Sequence, residues 1–468
     1  MLPLGGCLLT DKPEPGLDIP LAYDRAPKNP ALAEAAVPKL DWWRGFRSKE
    51  LTEVIEEARA ANLDIAAAIA RIVQADAQSR VAGAPLLPNV AANGSATHLR
   101  TSQATAAGGT TGSLGGSERD LLSSSLTASY EIDFWGKNRS ALRAAEETAV
   151  ASRHDREVVG LTTVVATANA YFQVLGAQDR LRVGRENIAS ATRVLNLIKE
   201  RLAAGTASLL DTSQQEALLD TQRAAIPPLE QTLTQNRNAL AVLIARPPES
   251  VRIRGGSLRS IATPRVTPGL PSELLAQRPD IREAEANLAA ADANVINARA
   301  QMLPSITLTG EGGYQSAVLK TLLRPESAFY TLTAGLTQPI FDGGRLQGNL
   351  DLQKGKQDEL LQNYRKAVIS AFSDVENALD GIRQTALRAR LQREVVTSSR
   401  RAFDISEQRL RQGTIDLVTV LQTQQTLYQA EDALAQAQLA HVQAVVGLYQ
   451  ALGGGWLPKP PVKTSDAR

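Results

Sequence analysis

This chain has little sulfur chemistry and few rings. Of its 468 residues one is cysteine, two are methionine and three are histidine, and aromatics make up 4%. A single cysteine excludes an intrachain disulfide and any zinc site built on cysteines. His98, His154 and His441 lie far apart, with no cysteine or carboxylate at metal-ligand spacing, so nothing points to a resident metal. No nucleophile elbow, phosphate loop or dinucleotide fingerprint occurs, so the expectation is a non-enzyme without a cofactor. Net charge is +2 and no dense Lys/Arg run appears, which leaves nucleic acid without an electrostatic footprint. No uninterrupted apolar run is long enough for a transmembrane helix of about 20 residues. A membrane would then be met as a β-barrel or through a lipid.

Repetition is what the chain does have. "NLDIAAAIARIVQADA" from Asn62 parallels "RPDIREAEANLAAADA" from Arg278, with Asp64 over Asp280, and Pro88 matches Pro304 at the same offset of 280 − 64 = 216. "YEIDFWGKNR" aligns with "TQPIFDGGRL", Gly136 over Gly343, and "RLAAGTASLLD" with "RLRQGTIDLVT", Gly205 over Gly413, at 413 − 205 = 208. Ordered matches at nearly constant offset describe one unit used twice, at 51–249 and 271–455. Residues 1–50 form an N-terminal segment, 250–270 a linker and 456–468 a tail.

Each unit has the same plan. A first helix (50–83, 271–301) ends before a Leu-Pro step, because proline disfavours helix at the residue preceding it. Two strands follow, at 88–100 and 121–135 in one unit and 304–316 and 328–341 in the other, the first pair joined by a Gly/Ser/Thr-rich connection. From Leu122 the even positions read Leu, Ser, Leu, Ala, Tyr, Ile, Phe and the odd ones are polar, a period-2 pattern with one greasy face. The pattern then changes at Gly136 to a helix running to about 203, roughly 100 Å at 1.5 Å per residue. Leu195, Ile198 and Leu202 stand at coiled-coil spacing, and Pro227-Pro228 must break the return helix.

The strands have bilayer-spanning length and alternate apolar with Ser, Thr, Gly or acid, as a lipid face and a watery face require. Tyr130, Phe134, Trp135, Tyr314, Phe329, Tyr330 and Phe341 gather at or near their ends, as an aromatic girdle would. Four strands cannot close a barrel, and an open edge in lipid leaves backbone groups unpaired, so the barrel must be shared between subunits. The alternatives are a soluble pair of hairpins packed on helices and a periplasmic coiled-coil scaffold. The scaffold would account for the helices and not for the strands.

Taken in order, "DWWRGF" (Trp42, Trp43, Phe46), "NALAVLIARPP" at Asn238, "RPDIREAE" at Arg278, "QPIFDGGRL" at Gln338 and the paired "RLxxGT" turns at Arg201 and Arg409 resemble the outer membrane factors of the TolC-like efflux family, in the lipoprotein (NodT-type) branch that serves resistance–nodulation–division pumps. The resemblance runs from Asp41 to Trp456. It implies a mixed α and β fold: a homotrimeric twelve-stranded transmembrane β-barrel continuing into a periplasmic α-helical barrel, with an equatorial belt at Pro247-Pro248 and 250–270. It also implies a passive exit duct in the bacterial outer membrane, fed by an inner-membrane pump through a periplasmic adaptor. A duct for type I protein secretion is the alternative within the same architecture. "LPLGGC" resembles a lipobox, which would make Cys7 the lipidated residue; the other reading is an ordinary cysteine in a terminal tail.

The ends of the long helical hairpins carry the candidate functional residues. Gly205 and Gly413 suit a left-handed C-cap, and Thr206 and Thr414 can start the next helix. The resemblance implies that this end contacts the adaptor and closes the aperture. Where family members place acids one and two turns beyond the second turn, this chain has Thr419 and Gln422, with Val418 at the constriction. Asp211 and Asp416 remain as candidate aperture acids, and with Arg409 and Arg411 they are expected to form charge pairs between neighbouring hairpins.

Overall fold

The computed structural model describes residues 16–17, 19–20, 22–24, 39–100, 118–264 and 271–454. Cys7, the connection at 101–117, residues 265–270 of the linker and the tail from 455 lie outside them. The described elements run α1 (Lys49–Ala61), α2 (Leu63–Gly83), β1 (Asn89–Arg100), β2 (Glu118–Ile132), α3 (Lys137–Ala203), α4 (Leu209–Ala224), α5 (Ile226–Leu243), α6 (Pro271–Gln277), α7 (Pro279–Ala300), β3 (Ser305–Ser316), β4 (Ala328–Thr337), α8 (Arg345–Arg411) and α9 (Leu417–Ala451). The chain divides into two units, and both halves of the repeat contribute to each. Among the described residues, unit 1 takes 72–100, 118–151 and 284–364, and unit 2 takes those of 16–71, 152–283 and 365–454.

Unit 1 holds an antiparallel sheet in the order β1-β2-β3-β4. Its register puts Ile132, Ile306 and Leu336 side by side across three strands, and likewise Tyr130, Leu308 and Ala334. The other face collects the polar set. There Asn93 Nδ2 donates to Thr127 Oγ1 at 3.0 Å, and Ser125 Oγ donates to a Glu311 carboxylate oxygen at 2.7 Å. Small residues sit opposite large ones, Gly312 against Tyr330 and Gly310 against Leu332. A Cβ at Gly310 would stand 3.2 Å from Leu332 Cδ2.

The strand ends differ from the sequence expectation. β2 stops at Ile132 and β4 at Thr337, so Phe134, Trp135 and Phe341 lie beyond the strands. The reason is capping. Asp133 accepts from the Asn138 and Arg139 amides, and Asp342 accepts from the Gly344 and Leu346 amides, so each chain turn is spent on starting a long helix. These equivalent acids are 342 − 133 = 209 apart, which shifts the expected alignment at Gly136 by two residues.

In unit 2 each expected first helix is two. Asn62 separates α1 from α2: its Oδ1 accepts from the Asp64 and Ile65 amides, and its Nδ2 donates to the Leu243 carbonyl at 2.9 Å. Arg278 separates α6 from α7 because Pro279 follows it. Its guanidinium binds Asp280 at 2.7 Å, Asp374 at 3.0 Å and the Ala451 carbonyl at 3.2 Å. Burial works against the Arg278 charge, but the hydrogen bonds and charges of Asp280 and Asp374 outweigh it and hold the guanidinium above its ordinary pKa. The predicted break in the return helix is at Ala225, and Pro227 and Pro228 occupy the first turn of α5, where a missing N–H costs nothing.

"DWWRGF" forms a 3-10 turn whose three aromatics enter the core of unit 2. Trp42 stacks on Tyr449 at 4.5 Å, Phe46 meets Phe172 at 5.1 Å, and Val164, Val165, Leu175 and Val445 complete the cluster. One 18-residue window of α3 is apolar enough to span a bilayer although no unbroken apolar run predicted it, and 56% of it is buried. This is the part of α3 that packs beneath the two tryptophans, so its apolarity serves the core.

Candidate functional site

The two hairpin tips of unit 2 are built alike. At the end of α3 the Thr206 amide donates to the Arg201 carbonyl at 2.8 Å and the Gly205 amide to the Leu202 carbonyl at 3.0 Å, a Schellman closure with Gly205 at φ 73°. At the end of α8 the Thr414 amide donates to Arg409 O at 3.0 Å and Gly413 to Leu410 O at 3.0 Å, with Gly413 at φ 70°. Glycine meets the left-handed angle without a Cβ clash.

The two threonines do not start the next helices. The Thr206 hydroxyl donates to Arg201 O at 3.1 Å and the Thr414 hydroxyl to Arg409 O at 3.2 Å, so both finish the helix behind them. The N-caps stand two residues on. Ser208 Oγ accepts from the Asp211 amide at 3.1 Å while Asp211 Oδ2 accepts from the Ser208 amide at 2.8 Å, a reciprocal capping box. In the second tip Asp416 Oδ1 accepts from the Thr419 amide at 2.8 Å. Hydrogen bonding from Thr419 holds the Asp416 carboxyl below the usual range, since it favours the ionised acceptor.

Within one chain, then, the four expected aperture charges do not pair with each other. Asp211 and Asp416 cap their own helices, and Arg411 binds Glu407 one turn back at 2.6 Å. Arg409 is exposed, and its side chain has no partner among the described residues. The hairpins meet instead through an apolar cluster of Val194, Ile198, Phe403, Leu410, Leu417, Val420 and Tyr428. Ile198 of the coiled-coil triplet joins it, while Leu195 turns to Leu219 of α4 and Leu202 is half-buried. The buried Gln215 side chain bridges across, donating to Ala191 O at 3.0 Å and to Gln424 Oε1 at 3.3 Å. Val418 (50% exposed) and Gln422 share one open face of α9, and Thr419 is half-buried.

One further side chain joins the two tips. Arg201 Nη1 donates to the Leu410 carbonyl at 2.6 Å, and its Nη2 reaches the Thr206 carbonyl at 3.4 Å. It is the first residue of the repeated "RLxxGT", so its signal in the sequence is the repeat itself. The sequence alone does not single out Leu209 and Leu210, 75% and 65% exposed; they follow the Ser208 cap and place apolar surface at the first tip.

A family model described as outer membrane efflux protein matches residues 54–246 and 270–454. The chain is 40% identical over 415 residues to the pyoverdine export outer membrane protein OpmQ of Pseudomonas aeruginosa, covering 89% of this chain and 87% of that protein. It is 30% identical over 456 residues to the toluene efflux pump outer membrane protein TtgC of Pseudomonas putida, covering 97% and 93%. Among solved structures the outer-membrane channel OprN superposes with a TM-score of 0.89 at 25% identity, covering 97% of this chain and 100% of that one. With its sheet, twin tips and long helices matched to known channels over nearly their whole length, this chain belongs to the outer membrane efflux protein family.

Proposed function

We propose that the protein is the outer membrane exit duct of a tripartite efflux pump and conducts small molecules passively. The observation that carries this is the sheet. One face runs apolar through Ile306, Leu308, Tyr330, Leu332 and Leu336 while the other is lined by Ser, Thr, Asn and Glu311, as lipid outside and water inside require. Neither β1 nor β4 has a second strand partner among the described residues, and lipid does not tolerate such edges. Three copies, each adding 4 strands, remove every edge. Exposed apolar residues spaced along α8, Leu387, Leu391 and Val395, offer further surface for a neighbouring copy.

The homotrimer stands in the outer membrane and extends into the periplasm, where the turns at Gly205, Thr206, Gly413 and Thr414 and the apolar Leu209 and Leu210 meet the adaptor of a resistance–nodulation–division pump. Val418, Thr419 and Gln422 line the aperture, with Asp211, Asp416 and Arg409 beside it. Because Thr419 and Gln422 replace acids, the aperture lacks the carboxylate ring that would favour cations. Cys7 carries the lipid of the lipoprotein branch. One relative is named for pyoverdine export and another for toluene efflux, so ducts of one family serve unlike cargoes and selection falls to the pump.

Native mass measurement of the detergent-extracted protein should give three chains, and the purified protein should add ion-conducting channels to planar bilayers. A folded monomer without conductance overturns the reading. Cys7→Ser should abolish fatty-acid labelling while the trimer stays inserted; labelling that persists overturns the anchor.

A further inference from the structure

Arg201 is bound across the gap between the two tips of one chain, and its repeat counterpart is not. The counterparts are one-to-one: Arg409 is Arg201 moved by 409 − 201 = 208, and Leu202 is Leu410 moved back by 410 − 208 = 202. Every backbone feature of the contact is duplicated. The Leu410 carbonyl accepts the Gly413 amide at 3.0 Å and, with its second lone pair, Arg201 Nη1 at 2.6 Å. The Leu202 carbonyl accepts the Gly205 amide at 3.0 Å and has no further partner among the described residues. Both helix ends present carbonyls at the negative pole of a helix, where a cation is favoured. Arg201 is half-buried in this contact, whereas Arg409 stands exposed in the same local geometry.

We propose that Arg409 donates its guanidinium to the carbonyl of Leu202 of the partner subunit. The tips are then held in a ring of like staples, alternately within and between chains. This rests on the trimeric duct reading. The occupant is a second copy because tips alternate first, second, first around a closed ring, so the relation of first to second tip inside a chain recurs, by repeat symmetry, between the second tip and the next chain's first. The acceptor is a backbone carbonyl, which no side-chain substitution removes. A planar fork with several N–H groups suits it better than an ammonium does. This explains how tips whose acids are occupied by helix caps can still be held together.

Cross-linking in a Cys7→Ser background, where introduced thiols are the only ones, tests the proposal. Arg409→Cys combined with Ala204→Cys should give covalent dimers and trimers on denaturing gels with a short flexible bismaleimide. Arg201→Cys with Gln412→Cys, the repeat-equivalent pair, should cross-link within the chain and migrate as monomer. Arg409→Gln should also raise the resting conductance of the reconstituted channel several-fold, and Arg409→Lys should rescue closure only in part. A native trimer in which the Arg409/Ala204 pair gives no interchain product overturns the staple and leaves the duct intact. A monomeric native mass overturns both.

Discussion

In the first half of the chain Asn62 parts α1 from α2 and holds the Leu243 carbonyl; in the second half Arg278 parts α6 from α7 and holds the Ala451 carbonyl. The clasping residues are 278 − 62 = 216 apart and the clasped carbonyls 451 − 243 = 208 apart, so two copies solve one problem with unlike side chains. Ser208 and Asp416 cap equivalent helices in the same way. Ala245, at φ 53°, and Gly453, at φ 84°, both close a return helix in the left-handed conformation. What is preserved between the halves is backbone geometry and the direction of each hydrogen bond. The side chains have drifted wherever a different donor could meet the same need.

The strongest break of that correspondence is expected at Gly453. A Cβ there would stand 2.6 Å from the Gln277 carbonyl oxygen and would also force an L side chain into the left-handed region. Gly453→Ala should destabilise by about 2–4 kcal/mol, combining overpacking against backbone with conformational strain. The thermal midpoint of the solubilised protein reads this directly, and an unchanged midpoint would show that the α9 end gives way freely.

Next come the clasps. Arg278→Ala removes charge-assisted hydrogen bonds from a guanidinium whose side chain is 12% exposed, and should cost about 2–3 kcal/mol. Asn62→Ala loses a helix cap and a carbonyl contact, and should cost about 1–2 kcal/mol. A larger loss at Asn62 than at Arg278 would reverse the ordering. At the remaining member of the Ala245/Gly453 pair the change should be favourable. Ala245→Gly relieves the left-handed strain at some cost in chain entropy, for a net gain of about 0.5–1 kcal/mol in the same melt.

The smallest effect is a pH dependence of the second tip's cap. The folded-state pKa of Asp416 is depressed, so its capping contribution is complete above the unfolded carboxylate value of about 3.9 and is lost as pH falls through the lower folded value. Acidification through that window should speed amide hydrogen exchange at Thr419, relative to the wild-type rate corrected for pH. Asp416→Ser, which copies the first tip, should remove that acceleration; its persistence would place the sensitivity elsewhere.

Periodicity makes the sheet and the long helices legible in the sequence. Leu122 through Phe134 alternates as a strand must, and the "RLxxGT" turns mark both tips because glycine takes the left-handed, helix-closing conformation at the least cost. Even so, three of the seven girdle aromatics lie past the strands, since the strands end earlier than the alternation suggested, where Asp133 and Asp342 turn to cap the helices. The aperture acids were harder to read. Asp211 and Asp416 look like free charges in a row of letters, and only the fold shows their oxygens turned back onto their own helix ends.

The sequence by itself determined a doubled unit, four amphipathic strands, and two glycine-closed hairpins, because these depend on local backbone preference and on side-chain period. Tertiary structure alone decided which equivalent residues do equivalent work. The repeat makes Arg201 and Arg409 identical in sequence, yet one is bonded across to Leu410 and the other is open. That difference arises because a hydrogen bond depends on what a distant part of the chain brings within about 3 Å, and no local pattern records that distance.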